Sequence, residues 1–183
     1  FAAGGEAYAE LLSLAYRQVM AAHKLVVDKE GNNLYISKEC FSNGCAATVD
    51  VTYPSAPIFL HYNPELLKGM LRPIFRYCAS DAWQFDFAAH DVGQYPILNG
   101  QVYGLNRETG ELMFHKQMPV EECGNMLVME ATVALATKST AFANEHLDIL
   151  EDWVKYLINN GRDPENQLCT DDFAGHLAHN CNL

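Results

Sequence analysis

The residues best equipped for chemistry lie near the C-terminal end, where LCTDDFAGHLAHN (residues 168–180) sets two adjacent acids beside two histidines and an asparagine. A helix beginning near Asp172 would place Asp172, His176, His179 and Asn180 on one face. A carboxylate and imidazoles so arranged can exchange protons near neutral pH. The same stretch also reads as a helix start in which Asp171 or Asp172 is only the cap. The Asp-x3-His-x2-His spacing is not a strong metal signature, so no metal and no cofactor is assigned.

Three further stretches carry polar groups in unusual company. In MPVEECGNM, Glu121 and Glu122 precede an apolar helix, either complementing its dipole or standing beside a ligand. In WQFDFAAHDVGQYP, His90 and Asp91 sit in a loop shaped by Gly and Pro among Trp83, Phe85, Phe87 and Tyr95. Aromatic walls around a few fixed polar groups suit a small-molecule pocket, and equally a structured core loop in which Asp91 satisfies backbone donors. Asp50, in ATVDVTYP, is an isolated fourth candidate.

Elements must hold these groups in place. Apolar residues recur at helical spacing from Gly5 to Val27, which predicts one long amphipathic helix, and LYISKE then alternates like a short strand. A short helix is expected after Pro54 or Pro57. Next comes a longer one with Asn63 as N-cap, Pro64 at its first position, an apolar face of Leu66, Leu67, Met70, Leu71, Ile74 and Phe75, and a kink at Pro73. Residues 80–118 never settle into a helical period; this predicts a long, aromatic-rich connection with a hairpin at ETGE. Two helices follow, over EECGNMLVMEATVALATKS and ANEHLDILEDWVKYLINNG, the second ending at Gly161. The pattern is mainly α, with minor β in the long loops.

Bulk properties exclude several classes. With 183 residues and 49% hydrophobic content the chain can bury a sizeable core, and its net charge of −11 with no basic cluster argues against a nucleic-acid partner. No apolar run reaches the roughly 20 residues that cross a bilayer, so no membrane partner is expected. Six scattered cysteines in a chain of this size predict free buried thiols rather than a disulfide framework.

TVDVTYPSAP, AAHDVGQYP, MPVEECGNM and NGRDPENQLCTDDFAGHLAHN, in this order, resemble the glutaminase A family of fungal-type glutaminases and bacterial relatives. The resemblance implies the first half of an (α/α)6 toroid of the six-hairpin superfamily, with residues 1–183 as a single domain and a fragment of a larger multidomain protein. It further implies hydrolysis of L-glutamine by carboxylate-activated water, a secreted or periplasmic location, and a fragment inactive by itself. The catalytic acids would come from Glu121, Glu122, Asp171 and Asp172, with His90, Asp91, Trp83, His176, Asn180 and Asp50 around a small polar substrate, glutamine or a sugar. The remainder of the polypeptide is the other expected partner. The alternatives are a glycoside hydrolase-like domain of the same superfamily and a non-catalytic structural or ligand-binding module.

Overall fold

The computed structural model describes residues 1–39 and 43–167. Among these the chain is mainly helical with one two-stranded sheet. The elements run α1 (Gly5–Ala21), β1 (His23–Val27), β2 (Asn33–Ser37), α2 (Val49–Tyr62), α3 (Pro64–Cys78), α4 (Pro119–Thr137), α5 (Ala141–Asn144) and α6 (Leu147–Asn160).

The predicted first helix is shorter than expected. It stops at Ala21, and His23–Val27 instead pairs antiparallel with β2, Leu25 opposite Tyr35. The helical spacing of apolar residues continues across this boundary, and periodicity cannot divide it. What decides is the partner strand and the β-branched pair Val26 and Val27, which favour a pleated surface. α1 itself buries none of its residues.

α3 follows its sequence signals closely. The Asn63 side chain accepts a hydrogen bond from the Glu65 amide at 3.0 Å, Pro64 occupies the first turn, and the helix continues through Pro73 to Cys78. Leu67, Met70, Leu71, Ile74 and Phe75 are buried, each worth about 1.5–3 kcal/mol of apolar transfer. Gly69 lets this helix lie directly on β2, because a Cβ there would stand 3.0 Å from the Tyr35 amide nitrogen. α2 begins earlier than predicted, at Val49, and contains both prolines. A start after Pro54 or Pro57 leaves out the turn Val49–Tyr53, which is what places Asp50.

α4 packs against α2, α3 and α6. At the centre, Phe75 is stacked between His146, at 4.0 Å between ring centroids, and Trp153, at 5.4 Å. The long connection is indeed irregular, apart from one 3-10 turn at Phe114–Lys116, and the ETGE hairpin forms with Leu105 opposite Leu112. Its aromatic residues supply core. Phe85 and Phe87 stack at 4.8 Å, and the buried Trp83 indole donates to the Phe87 carbonyl at 2.8 Å. Cys45, Cys78 and Cys123 are free thiols. No helix among the described residues is long and apolar enough to cross a membrane.

Candidate active site

Two loop segments run side by side and set the frame. The Ala46 amide donates to the Gly93 carbonyl (2.9 Å), the Val92 amide to the Ala46 carbonyl (3.1 Å) and the Val49 amide to the His90 carbonyl (2.9 Å). The first turn of α2 is thereby laid against His90, and Asp50 with it. At the turn of the second segment Gly93 has φ +110°, and a Cβ there would stand 2.3 Å from the Gly100 carbonyl oxygen, so the close crossing demands glycine. Just upstream, the Ala88 and Ala89 amides donate to the sulfurs of Cys123 (3.3 Å) and Cys78 (3.4 Å). Burial pushes the Cys78 thiol up to about 12, so it remains a neutral acceptor.

Within this frame Asp91, wholly buried, spends both oxygens locally. Its Oδ1 accepts from the Gly93 amide at 2.7 Å and its Oδ2 faces His90 Nδ1 at 2.8 Å. A carboxylate there selects the imidazole tautomer that carries its proton on Nδ1. The other nitrogen, Nε2, lies 3.6 Å from Asp50 Oδ1. Glu122 arrives from the first turn of α4 with no exposed surface. One donor atom from each of Asp50, His90 and Glu122 lies within 4.8 Å of the other two.

The electrostatics are those of crowded acids. Burial, then the charges of Asp50 and Glu121, raises Glu122 well above the usual carboxylate range. Asp50 is also raised, chiefly by burial; His90 pulls it down and Glu39 pushes it up. For His90, burial favours the neutral ring, but the Asp91 hydrogen bond and the charges of Asp50, Asp91 and Glu39 outweigh it, and its pKa is raised. Asn125 Nδ2 stands 3.5 Å from Glu122 Oε2, while Glu122 Oε1 and Asp50 Oδ1 have no hydrogen-bond partner among the described residues.

Of the residues named from sequence, Asp50, His90, Asp91 and Glu122 come together. Glu121, half-buried, stands one residue before Glu122, and its amide faces Gln167 Oε1 at 3.3 Å. Trp83 is packed in the aromatic core against Tyr77, Phe85 and Phe87, not in this cluster. Asp171, Asp172, His176 and Asn180 lie outside the described residues. Two further residues stand beside the cluster. Glu39 accepts from Thr48 Oγ1 at 2.6 Å, and the Tyr103 ring lies 5.9 Å from that of His90. Glu39 carried no signal, being the last residue of a strand-like stretch, and Tyr103 was one aromatic among many.

Comparison with known proteins gives this site a context. The glutaminase A six helical-hairpin domain family matches residues 5–183. The chain is 40% identical over 182 residues to glutaminase A of Aspergillus oryzae, covering 99% of this chain and 25% of that protein. It is 28% identical over 235 residues to an Arthroderma benhamiae protein named as a probable glutaminase, covering 97% and 26%. It thus spans about a quarter of the length of the curated relatives it matches. No solved structure matches it significantly. With the helical pairs, the four motifs and a family match from residue 5 to the last residue in agreement, the chain belongs to the glutaminase A family through its six helical-hairpin domain.

Proposed function

We propose that this domain supplies the acid-base wall of a pocket in which water hydrolyses the side-chain amide of L-glutamine. The observation that carries the reading is the convergence of Asp50, His90 and Glu122, delivered by α2, a loop and α4, within 4.8 Å of one another in a buried cluster. The names of the relatives give the substrate class. His90, oriented by Asp91, and Glu122 hold the attacking water. Asp50, which keeps 24% of its side chain exposed, is the member a substrate can reach. Asp50 takes a proton from the water as the oxygen bonds to the amide carbon. The C–N bond then breaks, and that proton leaves on the nitrogen as ammonia. Glu121 and the acids Asp171 and Asp172 stand as further candidates to hold the substrate. The rest of the polypeptide would close the pocket, so the domain by itself would turn over little.

The test is to assay the full-length protein with L-glutamine and with a panel of glycosides, beside Asp50→Asn and Glu122→Gln. Equal release of glutamate and ammonia, reduced about 100-fold or more in Asp50→Asn, is the expected result. Reducing sugar without ammonia would transfer the site to glycoside chemistry. Full turnover in both variants would remove these residues from the reaction.

A further inference from the structure

We propose that Asp50, His90 and Glu122 bind a single divalent transition-metal ion of the zinc or manganese class. The donor atoms already surround a common point: His90 Nε2 and Asp50 Oδ1 are 3.6 Å apart, and all three lie within 4.8 Å. Ligands about 2.0–2.2 Å from a metal stand about 3–3.5 Å from one another, so small side-chain rotations of Asp50 and Glu122 complete the approach. His90 is presented as a ligand would be. Asp91 holds Nδ1 at 2.8 Å and leaves the Nε2 lone pair directed at the acids, the carboxylate–imidazole arrangement that steadies metal-binding histidines.

Glu122 supplies a separate argument. It is fully buried, and its Oε1 has no hydrogen-bond partner among the described residues, a costly condition for a carboxyl oxygen that nothing occupies. Asp50 Oδ1 shares that lack. One imidazole with two carboxylates suits zinc or manganese better than calcium or magnesium, which prefer all-oxygen shells.

The ion deepens the hydrolase reading, and only its catalytic role rests on that reading: a metal-held water ionises near neutral pH, and the second oxygen of Asp50 remains free to take its proton. The experiment uses full-length protein purified without a metal-affinity tag, measured for metal content, stripped with chelator and titrated calorimetrically with Zn²⁺ or Mn²⁺ alone. One ion per chain is expected, with binding at least tenfold weaker in His90→Gln and in Glu122→Gln. Glu130→Gln, elsewhere on α4, should leave the affinity unchanged. Asp91→Asn should weaken binding about 10- to 100-fold and shift the visible spectrum of the Co²⁺-loaded protein. Wild-type protein that arrives metal-free and takes up none of these ions at millimolar concentration overturns the proposal, as does uptake that the ligand substitutions leave untouched. Full glutamine turnover by the stripped protein removes the ion from the reaction and leaves the hydrolase, while the binding itself stands or falls on the titration. Stoichiometric metal without ammonia release sinks the hydrolase and leaves the ion.

Discussion

Asp91 holds His90 from behind, its Oδ2 2.8 Å from Nδ1 while its Oδ1 is anchored 2.7 Å from the Gly93 amide. This pair gives the first prediction. In Asp91→Asn the side-chain amide can present a donor to Nδ1, which reverses the tautomer and turns the protonated nitrogen toward Asp50. If the proposed reaction holds, glutamine turnover by the full-length protein should fall about 100-fold while the fold loses only about 1–3 kcal/mol. Turnover and the unfolding midpoint, measured on the same preparation, separate the two effects; activity within threefold of wild type would contradict the orienting role.

A second prediction concerns the turn behind that pair. Gly93→Ala puts a methyl group where the Gly100 carbonyl stands 2.3 Å away, at φ +110°. Neither side chain nor backbone can yield cheaply, so a loss of about 2 kcal/mol or more is expected in denaturant titration. An unchanged midpoint would show that the crossing is looser than it looks.

Glu130 gives a pH-dependent prediction away from the reaction. It is 3% exposed on α4, and neither carboxyl oxygen has a hydrogen-bond partner among the described residues. Burial raises its pKa to about 7, with Lys68 on α3 pulling it down and Glu145 pushing it up. Between the unfolded value of 4.5 and about 7 the folded state keeps a proton that the unfolded chain has released. Stability from this group is therefore whole below pH 4.5 and is lost as pH rises through 7. Glu130→Gln should flatten that slope, with a gain at pH 8 of up to about 3 kcal/mol. Melting curves from pH 5 to 9 check it; parallel curves for the two proteins would assign the slope elsewhere.

Gln167 caps α4 from a distance. Its Oε1 receives the Val120 amide at 2.8 Å and the Glu121 amide at 3.3 Å, in the turn that presents Glu122. Gln167→Ala should cost about 1 kcal/mol and lower turnover, and Gln167→Glu, which keeps the acceptor oxygen, should restore both. Turnover lost equally in both variants would show that the cap does not serve the site.

How much of this was legible in the sequence depended on whether a signal was local. Asn63 and Pro64 announced α3 because cap and first turn are chemistry between neighbours. The division between α1 and β1 depended on β2, a partner beyond any window of periodicity. Asp50, His90, Asp91 and Glu122 were each visible as polar residues in odd company. That they form one cluster follows from backbone pairing between residues 45–49 and 90–94, which no side-chain pattern records. Trp83 shows the converse: an aromatic residue near polar ones looks like a pocket wall until the core claims it.

The backbone pairing that carries Asp50 to His90 has a wider consequence. Those peptide hydrogen bonds involve none of the acidic side chains, so the repulsion of Asp50 by Glu39 and of Glu122 by Asp50 is resisted by a frame indifferent to their charge. The frame specifies positions, and the occupants specify chemistry. Exchanging an acid for its amide should leave an intact and silent pocket, and the same mount can serve a different reaction once its displayed groups are changed.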